Sequence, residues 1–229
     1  AALLKERQVR AFETYDLDAG LLDASPGKVE LLICNLADDN LGLSEAVYRE
    51  IQQSVTVIIN NAWALNFKAP LVKFEPLLKG SRNLTHLSLS SPRSPPPLLA
   101  FVSTVLVWWT RPRPPVSSAD HPSGKPKPET LIADPRIAVH SGYSESKWIA
   151  ETLLARLASS HGLPTTIIRL GQLIGDSKTG SWNTDEWIPA IIKLAQDPHI
   201  RSVPLLTQVR PSPLCASPAP ILASQALAQ

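Results

Sequence analysis

Short apolar runs rich in Val and Ile alternate along the chain with stretches of helical periodicity. Four runs have the nearly continuous apolar character of strands covered on both faces. They are residues 29–34, 55–59, 98–102 and 165–169. The pattern therefore predicts buried strands rather than the alternating strands of a half-exposed sheet.

The segments between these runs predict helices over residues 43–53, 71–89 and 141–159. Ser44 is a suitable N-cap for the first, and Pro76 interrupts the opening turns of the second. Strands that alternate with helices form parallel crossovers. The fold class is therefore α/β, with a doubly wound parallel sheet of the Rossmann type.

The prolines are concentrated in three stretches of the chain. Most of the 22 lie in residues 90–97, 111–128 and 204–229. Proline lacks the amide donor that central strands and helix interiors need. The first two stretches predict loops. The third is dominated by Ser, Pro, Ala and Leu and predicts a poorly structured tail over residues 205–229, after a domain over residues 1–204.

Composition narrows the class of protein. A net charge of +2 without a basic stripe argues against nucleic acid. Cys34 and Cys215 lack the spacing of metal ligands or of a secreted disulfide framework, so no metal site and a cytoplasmic setting are expected. No signal peptide pattern is present, and no apolar run reaches the roughly 18 residues of a membrane span.

Tyr143 and Lys147 form a Tyr-x-x-x-Lys motif near the start of the third predicted helix. A four-residue step brings the ammonium to the same helix face as the phenol. A protonated phenol can donate its proton to a carbonyl oxygen as hydride arrives, and a nearby lysine stabilises the phenolate that remains. The alternative interpretation is an ordinary solvated pair on a helix surface.

Ser103 and Thr104 follow a predicted buried strand, at the end where ligand sites of α/β folds form. A hydroxyl group at this position can hold a substrate oxygen beside the tyrosine. The alternative is that these hydroxyls satisfy backbone groups at the strand end.

Six separated blocks of sequence carry a specific resemblance. They are IINNAW (58–63), GSRNL (80–84), FVST (101–104), GYSESKWIAE (142–151), RLGQLIGD (169–176) and GSWNT (180–184). In this order they resemble the thioester reductase, or male-sterility-type, NAD-binding domain of fungal adenylate-forming reductases and nonribosomal-peptide-synthetase-like enzymes. This domain belongs to the extended short-chain dehydrogenases/reductases.

The resemblance implies NADPH-dependent reduction of an acyl thioester, carried on the phosphopantetheine arm of an acyl carrier domain, to an aldehyde or an alcohol. It implies that Thr104, or less readily Ser103, is the hydroxyl residue, Tyr143 the proton donor and Lys147 the ligand of the nicotinamide ribose. The cofactor contacts it implies are Asn35, Leu36, Asn61, Ala62, Trp63, Ser103, Lys147, Leu170, Gly171 and Leu173.

The sequence departs from the family pattern in two ways. Its ten glycines include no G-x-x-G-x-x-G or G-x-G-x-x-G arrangement of the kind that cradles a pyrophosphate, and Asn35 stands where the family usually has an acid. The chain also lacks Met and opens on Ala. We therefore expect an incomplete domain, without the first strand and the glycine-rich turn, that binds NADPH weakly.

Two alternatives to a thioester reductase remain open at this point. A reductase or epimerase of the same extended class that acts on a sugar nucleotide shares the hydroxyl, Tyr and Lys. The WIAE continuation after Lys147 and the Asn61-Ala62-Trp63 block favour the thioester branch. The other alternative is a non-catalytic fragment of such a reductase.

Overall fold

The computed structural model describes residues 2–22, 28–108, 129–139, 141–177, 179–197 and 199. Its backbone separates into two compact units. Among the described residues, one unit lies within 2–32 and 172–199, and the other, called the sheet unit below, lies within 33–171. The predicted loop 111–128 and the predicted tail 205–229 lie outside the described residues.

The three predicted helices and three of the four predicted strands occur in the expected order, and the structure adds a helix at each end of the described residues. The helices are α1 (Ala2–Thr14), α2 (Glu45–Ser54), α3 (Glu75–Leu89), α4 (Gly142–His161) and α5 (Trp187–Gln196). The strands are β1 (Val57–Asn60), β2 (Leu98–Thr104) and β3 (Thr165–Leu170), and short 3-10 turns include Leu71–Phe74 and Val105–Trp108. Among the described residues, no helix is long and apolar enough to cross a membrane.

The three strands form one parallel sheet in the order β1-β2-β3. Asn60 lies opposite Phe101, and Ser103 lies opposite Arg169. This confirms the predicted α/β class and the parallel arrangement of three of the four predicted strands. Burial alternates along β1, which buries Ile58 and Asn60 on one face and leaves Val57 and Ile59 exposed on the other, at 48% and 68% of their surfaces. The prediction that this strand is covered on both faces is therefore wrong.

The prediction of a strand over residues 29–34 is wrong. Residues 29–35 join no strand ladder within the described part of the chain, and Ile33 is 75% exposed. An extended segment becomes a strand when a neighbour satisfies its backbone groups. Here the Asn35 N–H donates instead to the Leu41 carbonyl at 2.9 Å, which closes a local turn. The apolar run alone did not carry this information.

The core of the sheet unit lies between the sheet and helices α2, α3 and α4. Its most deeply buried side chains include Phe101 of β2, Leu87 of α3 and Leu154 of α4, each exposed by 2% or less. Full burial of such a side chain contributes about 1.5 to 3 kcal/mol. This packing fixes the helices against the sheet and so positions the side chains at its carboxyl edge.

Helix α4 begins where the sequence predicts a helix. The Ser141 hydroxyl caps it by accepting the Ser144 N–H at 3.2 Å, and Gly162 ends it in the left-handed conformation. Gly142, the first helical residue, lies against the backbone of residues 69–71. A Cβ at Gly142 would stand 2.5 Å from the Ala69 carbonyl oxygen and from the Leu71 nitrogen.

The other unit contains α1 and α5. Within it, the Ser181 hydroxyl donates to the Tyr15 carbonyl at 2.7 Å, which links two segments that are distant in sequence. Gln172 donates to the Glu186 carboxylate at 2.9 Å and accepts the Trp187 indole N–H at 2.7 Å. These bonds hold the start of α5 to the segment that follows β3.

Candidate active site

The carboxyl end of β2 meets the first turns of α4 in the sheet unit. Thr104, the last residue of β2, lies beside Tyr143, and its hydroxyl is close enough to the phenol to lower the tyrosine pKa. The Thr104 oxygen also accepts the Leu106 N–H at 3.2 Å. Two hydroxyl groups that the sequence separates by 39 positions thus face each other at the edge of the sheet.

Tyr143 is held in an aromatic environment, with 8% of its surface exposed. Its ring meets Phe67 and Phe74 edge to face, with centroids at 5.3 and 6.3 Å. Burial raises the pKa of the Tyr143 phenol above its ordinary value of 10.0, and the hydrogen bond with Thr104 opposes part of this rise. The phenol is therefore protonated at neutral pH and able to act as a proton donor.

Lys147 lies one turn further along α4 and is only 3% exposed. Its Nζ donates to the Val102 carbonyl at 2.6 Å. The same ammonium lies 4.4 Å from the ring centroid of Trp63, 4.8 Å from that of Phe101 and 5.8 Å from that of Tyr143. Burial lowers the pKa of Lys147 from 10.5 to about 8, and the charge of Glu151 acts in the opposite direction.

Ser103 makes a different contact from its neighbour Thr104. Its hydroxyl donates to Glu151, a fully buried carboxylate of α4. Arg169 of β3 binds the same carboxylate through Nε at 3.0 Å and Nη2 at 2.6 Å, and its Nη1 donates to the Thr130 carbonyl at 3.0 Å. Ser103 is therefore hydrogen-bonded within a buried network with Glu151 and Arg169, whereas Thr104 faces Tyr143.

Sequence reasoning assigned no role to Glu151 or Arg169, although both lie in the blocks that carry the resemblance. One signal was available, because Glu151 follows Lys147 by four residues and so shares its helix face. Arg169, which follows Ile167 and Ile168 in a strand predicted to be buried, was a second signal, since a buried charge needs a partner.

Asn35 and Leu36 are the residues expected to contact the adenine of the cofactor. The Asn35 side chain is exposed and folded onto its own turn, where it accepts the Ala37 N–H at 3.2 Å and donates to Asp38 at 2.9 Å. The Leu36 carbonyl accepts the Asn83 side chain of α3 at 2.9 Å. This turn is therefore anchored to α3.

The residues after β1 divide into two groups. Asn61 and Ala62 are exposed, whereas Trp63 is half-buried and donates its indole N–H to the Ser146 hydroxyl at 3.1 Å. The Trp63 ring also meets Phe101 edge to face at 5.4 Å. Of these three residues, Trp63 is the one in contact with α4 and with the Lys147 ammonium.

The residues expected at the nicotinamide amide follow β3. Leu170, at 36% exposure, ends the strand. Gly171 comes next and is exposed. Leu173 belongs to the other compact unit and is 59% exposed. The structure therefore brings Thr104, Tyr143, Lys147, Trp63 and Ser103 together, whereas Asn35 and Leu36 lie in a turn held by α3.

The chain has a parallel sheet flanked by helices, with a hydroxyl, a tyrosine and a lysine at the carboxyl edge of the sheet. These features define the class of protein: a Rossmann-type α/β domain of the extended short-chain dehydrogenase/reductase kind. Residues 2–212 match the NAD-binding family model described as male sterility protein. The chain belongs to this family.

Similar proteins have consistent descriptions. The chain is 38% identical over 201 residues to the adenylate-forming reductase Nps10 of Heterobasidion annosum, covering 88% of this chain and 17% of that protein. It is 31% identical over 187 residues to the carboxylic acid reductase of Neurospora crassa, covering 80% of this chain and 16% of that protein. It thus spans about a sixth of the length of these relatives.

Among solved structures, the terminal R domain from the myxalamid PKS-NRPS biosynthetic pathway is similar, with a TM-score of 0.67 and 27% identity. The match covers 84% of this chain and 45% of that domain. The reductase domain of a nonribosomal peptide synthetase from Mycobacterium tuberculosis has the same fold, with a TM-score of 0.60 at 23% identity.

Proposed function

We propose that this chain takes part in the NADPH-dependent reduction of an acyl thioester, carried on the phosphopantetheine arm of a carrier protein, to an aldehyde or an alcohol. The observation that carries the proposal is the placement of Thr104 beside the Tyr143 phenol, with the Lys147 ammonium 5.8 Å from the Tyr143 ring centroid. The descriptions of the relatives as adenylate-forming and carboxylic acid reductases support this substrate class.

The residues divide the chemistry among them. The nicotinamide, when bound, supplies hydride to the thioester carbon. The Thr104 hydroxyl holds the substrate oxygen beside Tyr143, and Tyr143 gives its proton to that oxygen as negative charge develops there. The resulting thiohemiacetal gives the aldehyde when its carbon–sulfur bond breaks, the hydroxyl proton is lost and the phosphopantetheine leaves as the protonated thiol. General acid catalysis of this kind contributes about 10²- to 10⁴-fold to a rate. The Lys147 ammonium stabilises the phenolate that Tyr143 becomes.

The donor set fits the nicotinamide half of the cofactor. Lys147 uses one of its three ammonium donors on Val102, so two remain for ribose hydroxyls. Gly171 has no described heavy atom within 4 Å of where a Cβ would stand, which leaves its backbone accessible. For the pyrophosphate the sequence offers no glycine-rich turn. Calorimetric titration of the 229-residue chain is therefore expected to give weak NADPH affinity.

The test is NADPH oxidation by the chain at millimolar cofactor, with an acyl thioester on a phosphopantetheinylated carrier protein as substrate. Tyr143→Phe is expected to lower the rate about 10²-fold or more, because the phenol is the proton donor. Tyr48→Phe is the matched control, since Tyr48 is equally buried, at 8% exposure, but lies in α2 within the core. A Tyr143→Phe variant with the wild-type rate contradicts the proposal, as does a folded wild-type chain that oxidises no NADPH.

A further inference from the structure

Side chains of helix α4 meet three consecutive residues at the end of β2. Lys147 donates to the Val102 carbonyl, Glu151 accepts the Ser103 hydroxyl, and the Tyr143 phenol lies beside the Thr104 hydroxyl. The Glu151 carboxylate also binds Arg169, which is the register partner of Ser103 on β3. One buried carboxylate therefore joins the helix to two adjacent strands at the same level of the sheet.

We propose that Glu151 is a positioning residue for Tyr143 and Lys147: it holds α4 against the ends of β2 and β3 and places a negative charge one turn from the Lys147 ammonium. This inference rests on the proposed function. Because Ser103 is bonded to Glu151, the neighbouring Thr104 keeps its place opposite Tyr143. A shift of α4 along the sheet would break the bonds to Val102 and Ser103 and move Tyr143 away from Thr104.

The surroundings of Lys147 explain why it needs this charge. Helix α4 contributes Tyr143 and Glu151, β2 contributes the Phe101 ring and the Val102 carbonyl, and the segment after β1 contributes Trp63. Burial among these groups lowers the pKa of Lys147, and Glu151 raises it again. Arg169 of β3 binds the same Glu151 carboxylate, and its guanidinium carbon lies 5.7 Å from the Trp108 ring centroid. Glu151 thus favours the charged form of Lys147 near neutral pH.

The experiment follows the Lys147 side chain by ¹³C and ¹⁵N NMR of the labelled 229-residue chain across pH, with Lys147→Arg to identify its resonance. Glu151→Gln is expected to lower the pKa of Lys147 by about 1 unit, the effect of losing a nearby opposite charge. Glu145→Gln makes the same chemical change on the same helix, and the Lys147 pKa is expected to stay at its wild-type value. A residue with a purely structural role changes stability without moving this pKa.

A Glu151→Gln variant that folds with an unchanged Lys147 pKa overturns the proposal. If Glu151→Gln does not fold because Arg169 is left without its carboxylate, the double variant Glu151→Gln with Arg169→Met is compared with Arg169→Met alone, so that loss of the Glu151 charge is the one difference between the two. The thioester assay is separate. A wild-type chain without thioester activity refutes the proposed function, whereas the NMR comparison still decides whether Glu151 controls Lys147.

Discussion

Gly142→Ala tests how closely the start of α4 must approach residues 69–71. The new Cβ would stand 2.5 Å from the Ala69 oxygen and the Leu71 nitrogen, and 2.6 Å from the Pro70 carbonyl carbon. Ordinary contact between carbon atoms begins near 3.5 Å, so the backbone would have to retreat by about 1 Å. Backbone atoms cannot rotate away as the end of a flexible side chain can.

Overpacking of this kind costs about 1 to 3 kcal/mol, and the helix propensity of alanine returns at most about 1 kcal/mol. We therefore expect a net loss of about 1 to 2 kcal/mol in the free energy of unfolding. For a chain of this length, that lowers Tm by roughly 2 to 8 °C. Differential scanning calorimetry measures the shift directly.

Gly171→Ala is the matched control for this variant. Its Cβ meets no described heavy atom within 4 Å, so its Tm is expected to stay within about 1 °C of the wild-type value. The reasoning is refuted if Gly142→Ala melts at the wild-type temperature. We also expect reduced thioester activity from Gly142→Ala, because the displaced residues 69–71 adjoin Phe74, whose ring contacts Tyr143.

Two further predictions concern stability. The pKa of Lys147 is about 8 in the folded chain and 10.5 ordinarily, so the folded state loses this proton first and stability rises with pH between these values. The free energy of unfolding is measured in urea for wild type and Lys147→Met at about pH 7 and about pH 10. Relative to Lys147→Met, wild type should be more stable at the higher pH than at the lower pH. An equal difference between the two proteins at both pH values would count against a buried ammonium. Asn83→Ala removes the two bonds from Nδ2 to the Leu36 and Asp38 carbonyls, at 2.9 and 3.1 Å, and is expected to cost about 1 to 2 kcal/mol. Gln53→Ala changes an exposed side chain and is the control, since its free energy of unfolding in the same urea assay should stay within about 0.5 kcal/mol of wild type. An equally small change for Asn83→Ala would show that the turn at Leu36 and Asp38 does not depend on α3.

The sequence predicted the elements whose signals are local. Ser44 and Ser141 cap α2 and α4 by accepting N–H groups in their first turns, and Pro76 lies at the start of α3 as its fixed φ allows. The Tyr143 and Lys147 pair was visible because a four-residue spacing implies one helix face. Local patterns of this kind need no knowledge of the rest of the fold.

The features that depended on distant partners were not predictable in the same way. Residues 29–34 have the composition of a strand, yet composition does not say whether a neighbour is available to pair with them. The distinct roles of Ser103 and Thr104 depend on Glu151 and Tyr143, which approach β2 only after α4 has packed on the sheet. Nor does spacing reveal that Lys147 is enclosed by Trp63 and Phe101.

Within the described part of the chain, β1 has a strand on one side only, and this has a practical consequence for handling the protein. Val57 and Ile59 are exposed on a strand with one described neighbour, β2. A sheet edge that combines unpaired backbone groups with apolar side chains promotes pairing with a strand of another chain. Preparations of the isolated chain should therefore self-associate as concentration rises. Ile59→Lys should reduce this self-association by placing a charge on the exposed edge strand, and it leaves unchanged the residues Thr104, Tyr143 and Lys147 on which the chemistry depends.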